Sequence, residues 1–409
     1  MSESSKSPLL PIFLTVFLDM LGVGIIIPVL PALFLSPETS ILAADTSQAQ
    51  RSILYGYLIA VYPFMQFFGA PALGAMSDRY GRRPMLLISL AGTLIGYLLF
   101  GVAILRKDLL LLFISRALPG FTGGNVSIIY SAISDITSEN QELRPRYFGF
   151  IGMAFGLGFI LGPAIGGILA DSNISSWFNH ATPFWFTAGL TALNILLLLK
   201  NFPETNQHPR QSSVSFLTGL LNVRKAFTSP NLKGVFTVSL LFSLSFSFFT
   251  QFFSVYLLQR FGMKEKEIGL IFGWIGIWLV ITQAIVVRKL SQKISSVVIL
   301  RYSLILLAVT MPSILLAQNL WQIMLINPFI ALFQGLSSPN LTTVVSSFAQ
   351  KQEQGEVLGI NQSMVSVGQM IPPVIAGYLN SVNGSLPILT SGFTLLLGWI
   401  VYLSLRKRA

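Results

Sequence analysis

Apolar runs of about 20 residues, the length a helix needs to cross a bilayer, recur along the whole chain and alternate with short polar turns. Their spacing predicts helical spans at 9–35, 52–76, 84–104, 108–135, 146–170 and 182–201, then at 232–258, 267–288, 297–317, 320–348, 356–380 and 386–405. The stretch from Asn201 to Pro230 is the one long connection lacking an apolar run, and it is rich in Ser, Asn and Pro. It divides the chain into an N-terminal bundle (1–201), a linker (202–230) and a C-terminal bundle (231–409). An internal repeat supports that division. Gly149–Leu169 aligns on Gly359–Leu379 at an offset of 210, matching Gly149 with Gly359, Gly158 with Gly368, Pro163 with Pro373 and Gly167 with Gly377. Parallel six-helix repeats give such an offset.

Composition agrees with the pattern. The chain is 53% hydrophobic and 10% charged, with a mean hydropathy of +0.71, whereas soluble domains carry about 25% charged residues. The net charge of +11 does not point to nucleic acid, because the cations sit in short turns between spans and not on one soluble face. With both termini inside, nineteen Lys and Arg fall on one membrane face and six on the other: Arg51, Arg106, Lys107, Arg260, Lys264 and Lys266. The excess marks the first face, with both termini, as cytoplasmic. Met1–Ser7 is polar and lacks the features of a cleaved signal. There is no cysteine, which excludes disulfide and thiolate chemistry.

Asp19 is the one acid of fifteen that falls deep in a predicted span. A carboxylate at a helix centre costs about 2.5–3.5 kcal/mol on insertion scales, and such residues mark pathways or proton sites. Its depth is ~15 Å from the cytoplasmic side at ~1.5 Å per residue. Arg116, inside the fourth span, lies within ~4 Å of the same depth. A pair between them would hold Asp19 ionised, and parting it would favour proton uptake. A purely structural ion pair is the other reading.

The turn Gly74-Ala-Met-Ser-Asp-Arg-Tyr-Gly-Arg-Arg83 packs Arg79, Arg82 and Arg83 beside Asp78, with Gly74 and Gly81 permitting a tight turn. Asp135, near the end of the fourth span, is a candidate partner. Individually weak surface pairs suit a latch that opens each cycle; arginines that only set topology are the alternative. In the fifth span, Gly158, Gly162 and Gly166 share one helix face, which lets another backbone approach closely, and Pro163 with Gly167 completes the pattern. Polar and aromatic positions that could line a cavity are Gln66, Asn125, Phe246, Phe249, Gln251, Trp274, Trp278, Gln334 and Asn340. An aromatic stripe of this kind fits packing as well as ligand binding.

The spacing Gly-x3-Asp-Arg-x-Gly-Arg-Arg resembles the signature loop of the major facilitator superfamily. The resemblance implies an all-α membrane protein with the major facilitator fold: twelve transmembrane helices in two pseudo-symmetric six-helix bundles. The fifth-span pattern resembles the antiporter motif of twelve-helix drug:proton antiporters, tetracycline exporters among them. Arg116-x3-Gly120-x2-Gly123 resembles their fourth-span motif, whose arginine is implicated in proton coupling, and Asp19-Met-Leu-Gly-Val-Gly24 resembles their first-span motif. The chain departs from the tetracycline exporters where Gly96 replaces an acid before Tyr97, and His180 and His208 both lie in polar connections. Tetracycline with its metal ion is therefore not the expected substrate.

The expected function is proton-coupled efflux of neutral or cationic amphipathic or aromatic compounds by a monomer in the bacterial inner membrane. A symporter or a lipid or metabolite flippase on the same fold is the alternative. No metal or cofactor is expected, nor any nucleic-acid partner. With one buried acid and no cysteine or histidine in the spans, an enzyme is not expected.

Overall fold

The structure, a computed structural model, describes residues 9–36, 38–137, 143–206, 214–230, 232–348 and 354–405. Of the cations counted above, Lys6, Arg210, Lys351, Arg406, Lys407 and Arg408 lie outside the described residues. The apolar runs fold as helices: α1 (Leu9–Leu35), α2 (Gln48–Tyr80), α3 (Arg82–Arg106), α4 (Leu109–Thr122), α5 (Asn125–Ile136), α6 (Arg144–Ala170) and α7 (Thr182–Asn201). A short α8 (Thr218–Thr228) follows. Then come α9 (Lys233–Phe261), α10 (Glu265–Ile281), α11 (Arg288–Ser291), α12 (Ser296–Ser313), α13 (Leu320–Ser347), α14 (Gln354–Val382) and α15 (Leu386–Leu405). A π turn over Thr282–Val287 joins α10 to α11 within one span. Among the described residues, eleven helical stretches are long and apolar enough to cross a membrane. α14 is also long enough, at 29 residues, but polar positions such as Asn361, Gln362, Ser363 and Gln369 lower its hydropathy.

Side chains start several of these helices. Ser47 and Gln50 form a reciprocal cap on α2, Asp108 accepts the Leu111 N–H at the start of α4, and Asn319 accepts that of Gln322 at α13. Each satisfies donors that a helix start leaves open. At the far end of α2 from the basic turn, the Arg51 guanidinium is buried and donates to the carbonyls of Phe34, Ala43 and Thr46, tying down the α1–α2 connection. These two extremities of the bundle are called here the Arg82 end and the Arg51 end.

Two features differ from the sequence expectation. The fourth span is not one helix. It breaks at Gly123–Gly124, whose backbone leaves helical geometry, because two adjacent glycines lack the propensity to hold it. The freed carbonyls are not left bare, as membrane burial requires. Gln66 Nε2 donates to the Gly123 oxygen at 3.0 Å, and Ser89 Oγ donates to that of Thr122. The linker, in which the pattern marked no span, contains α8. Its buried positions are the small Gly219 and Ala226, while Leu217, Leu220, Leu221 and Phe227 are exposed, so the usual apolar-inward signal is inverted.

Buried residues of α9–α15 form one apolar core, those of α1–α7 form a second toward the Arg82 end, and a third toward the Arg51 end joins α1–α4 and α7 to Phe248, Phe252 and Val255 of α9 and Ala376 of α14. Glycine governs the closest approaches. A Cβ added to Gly158, Gly162 or Gly166 would stand 2.6–2.7 Å from backbone oxygens of Phe17, Leu21 and Ile25 on α1. The predicted glycine face of the fifth span therefore packs on the first span. Gly167 faces the other way, with the Lys266 Cα 2.9 Å from where its Cβ would be, so α6 also closes against α10.

Hydrogen bonds that join α1–α7 directly to α9–α15 cluster toward the Arg51 end. Asn380 Nδ2 donates to Ser52 Oγ at 2.9 Å, the Tyr57 and Tyr378 hydroxyls meet at 2.9 Å, and Tyr55 Oη donates to the Gln251 carbonyl at 2.9 Å. His180 Nε2 lies 2.8 Å from Glu265 Oε1. Gly56 and Gly377 bring the α2 and α14 backbones together at the same end. Toward the Arg82 end, an added Cβ on Gly149, Gly152 or Gly359 would meet nothing within 4 Å among the described residues.

Candidate proton and substrate site

Asp19 sits in the middle of α1, beside the break in the fourth span. The break starts α5 at Asn125, which is 1% exposed, and its Nδ2 donates to Asp19 Oδ1 at 2.8 Å. Arg116 is buried on the preceding helix, α4, with its guanidinium over the Tyr62 ring, 4.6 Å from the centroid. A desolvated contact of that kind is worth about 2 kcal/mol.

The expected ion pair between Asp19 and Arg116 is therefore corrected: the carboxylate's partner is Asn125 and the guanidinium's is an aromatic face. Two tyrosines account for this. The Tyr97 hydroxyl fills the space left by the missing side chain of Gly22, one turn from Asp19, and Tyr62 takes the guanidinium. A cavity of about 10 Å³ remains, lined by Asp19, Tyr62, Thr93, Tyr97, Ser115 and Arg116 among others, close to the room one water needs. Arg116 Nε and Asn125 Oδ1 are buried without a hydrogen-bond partner among the described residues. The site thus combines a carboxylate, an amide donor, an arginine that forms no ion pair among the described residues, and hydroxyl groups around a water-sized space. It can hold or release a proton at Asp19, with Asn125 able to donate to either form of the carboxyl.

At the Arg82 end, Arg82 Nη1 lies 2.5 Å from Asp78 Oδ1 and Nε 3.0 Å from Asp135 Oδ2, with a further bond to Ser77 Oγ at 2.7 Å. Gly81 has φ +103°, a conformation that favours glycine, and a Cβ there would strike the Glu204 carboxylate. Glu204 accepts the backbone N–H groups of Arg82 at 2.8 Å and Arg83 at 3.1 Å, and so closes the start of α3. Arg83 Nη2 reaches the Leu199 carbonyl, Arg79 lies against the neighbouring Tyr80 ring, and Gly74 faces Ser127. Apart from Glu204, at the start of the linker, these partners belong to the N-terminal bundle. Arg82→Ala is expected to destabilise the fold by about 2 kcal/mol, since it removes charged hydrogen bonds to carboxylates that keep some solvent. Thermal unfolding of the purified variant checks this.

The expected cavity residues divide. Asn125 is at the site, and Gln66 is engaged at the helix break beside it. Phe249 is 2% exposed and stacks on Phe253 inside the second-half core. Asn340 is buried and donates to the Leu336 carbonyl of its own helix. Neither faces a cavity as expected, because their helix faces turn inward to that core. Phe246 packs on the same core, Trp274 Nε1 donates to the Met324 carbonyl at 3.0 Å and its ring meets Trp278 edge-on. Gln251 is half-buried and contributes its backbone carbonyl to Tyr55. Buried Gln334 has an Oε1 with no hydrogen-bond partner among the described residues. Sequence reasoning missed Tyr62 and Glu204 and gave Tyr97 no place at the site. Polar-tipped aromatics inside spans were the available signal for the tyrosines; nothing in the pattern singled out Glu204.

Long apolar helices in two groups around a buried carboxylate and arginine define an integral, multi-pass membrane protein of the transporter type. The chain belongs to the Major Facilitator Superfamily, whose family model matches residues 12–330 and 284–409. It is similar to the class H tetracycline resistance protein of Pasteurella multocida, 31% identical over 97% of this chain and 94% of that protein. It is also similar to multidrug resistance protein 1 of Bacillus subtilis, 28% identical over 96% of this chain and 95% of that one. Among solved structures, a D-xylose–proton symporter superposes with a TM-score of 0.76 at 15% identity, covering 96% of each chain, which supports the fold alone.

Proposed function

We propose that this protein exports small amphipathic or aromatic compounds, neutral or cationic, in exchange for protons. Asp19 is the proton-carrying group, Asn125 and Arg116 set its surroundings, and the bundles 1–201 and 231–409 rock about the site. The observation that carries the reading is a carboxylate in the middle of a membrane helix, bound by an amide and in no ion pair among the described residues. A carboxylate so placed can be neutralised by a proton or by a cationic or dipolar substrate. The relatives named for multidrug and tetracycline resistance favour export over the symport or flippase alternative. Gly96 before Tyr97 and a cavity wall without histidine argue against metal-bound tetracycline itself. The Lys and Arg distribution favours a cytoplasmic location for the Arg82 end and both termini, and the bacterial relatives favour a bacterial inner membrane. The protein acts as a monomer, without a cofactor and without an enzymatic step.

The test is transport in liposomes with a pH-sensitive dye inside. With an imposed proton gradient and a panel of amphipathic cations and neutral aromatics, the expected result is proton movement that depends on at least one compound. Counterflow of a compound with no proton movement would make the protein a facilitator.

A further inference from the structure

We propose that α8 is a removable wedge: it holds the two halves apart at the Arg82 end and must withdraw before that end can close. The proposal rests on the rocking-bundle reading given above. α8 and the turn before it touch both halves. Phe216 stacks on Phe121 of α4, with centroids 5.8 Å apart, and Gly219 faces the Phe67 ring of α2. On the other side, Asn222 Nδ2 donates to Ser363 Oγ of α14 at 3.0 Å, and Lys225 Nζ lies 2.8 Å from Glu356 Oε1 at the start of α14. Ala226 is buried in the second-half core.

The contacts also fix how far α8 reaches. Phe67 lies thirteen residues before the end of α2 at Tyr80, ~20 Å into the bundle at ~1.5 Å per residue. α8 therefore does not lie flat on the surface. Its C-terminal part meets α14 at the rim, and its N-terminal part penetrates between α2, α4 and α14 close to the helix break that presents Asn125 to Asp19.

Closing the Arg82 end would bring α2 toward α14, as Gly56 and Gly377 already bring them together at the Arg51 end. The space they would cross is the one α8 fills. Contacts to both halves cannot all survive a relative rotation of those halves. The α14 face at that end is already small: a Cβ added to Gly359 would meet no atom of the described residues within 4 Å. The attachments of α8 suit a part that leaves. The Lys225–Glu356 pair is more than half exposed on both sides, and each polar or ring contact is worth no more than about tenfold in an equilibrium.

The absence of cysteine from the sequence makes a clean test available. Nitroxide labels on Y80C and F348C, exposed positions at the Arg82 end of different halves, report the separation by pulsed spin resonance. In the labelled protein, F216A/N222A/K225A is expected to raise the ratio of short to long separations by about tenfold or more. The distance measurement on an N222C/S363C disulfide uses fluorescent-protein fusions in place of spin labels. There the disulfide is expected to leave only the long separation, with the short one returning on reduction. An unchanged ratio in the triple variant, or a short separation persisting with the disulfide fully formed, would overturn the wedge. One fixed separation in every sample, whatever the pH or added compound, would overturn the rocking of the halves along with it.

Discussion

Asp19→Asn is expected to abolish proton-coupled export while leaving a folded protein at least as stable as the parent. Asn and Asp are nearly isosteric, and the Asn125 amide that donates to Asp19 at 2.8 Å can donate equally to the side-chain oxygen of an asparagine. The variant loses only the ionisable group. Holding a carboxylate at a helix centre costs about 2.5–3.5 kcal/mol on insertion scales, so removing it relieves a burden on the fold. What disappears is the one group at the site able to exchange a proton for a substrate. Coupled flux should fall to the level of empty liposomes, with thermal unfolding unchanged or raised. Coupled flux at the parent level would move the proton site elsewhere.

Gly56→Leu is expected to prevent closure at the Arg51 end and to reduce transport by at least about tenfold, the effect of a barrier of ~1.4 kcal/mol. A Cβ at Gly56 would press on the Pro373 carbonyl and stand 3.2 Å from the Gly377 Cα. Both neighbours are backbone, with no flexible side chain to yield, and overpacking a tight contact typically costs about 1–3 kcal/mol. The halves must part at this end, which separates Asn380 from Ser52 and Tyr55 from Gln251. A single cysteine at Gln251 reads the result. Labelling by an impermeant maleimide from the Arg51 side should be faster in the Gly56→Leu background than in Gln251→Cys alone. Equal labelling would show that this seam is not what closes that end.

Much of the fold was legible because a membrane helix advertises itself by length and apolarity, and the described helices follow the predicted spans closely. The Arg82–Asp135 contact was legible too, since a turn of fixed spacing leaves its cations few carboxylates to reach. The Asp19–Arg116 pair was misread for a definite reason. Counting residues gives height along a helix axis but not direction around it, and equal depth is compatible with two side chains that never meet. The break at Gly123–Gly124 adds to this, because it places Asn125 where a continuous helix would not. α8 stayed hidden because its buried residues are Gly219 and Ala226, whose burial leaves no apolar periodicity. Phe249 and Asn340 were candidates by residue type, and only packing shows that they face a core.

The most direct test of the central claim, that Asp19 exchanges its proton for the substrate, is the pH change of a weakly buffered solution of purified protein when a transported compound is added. Proton release on binding is expected in the parent and none in Asp19→Asn. Equal release by both proteins would contradict it and place the exchangeable proton on another group.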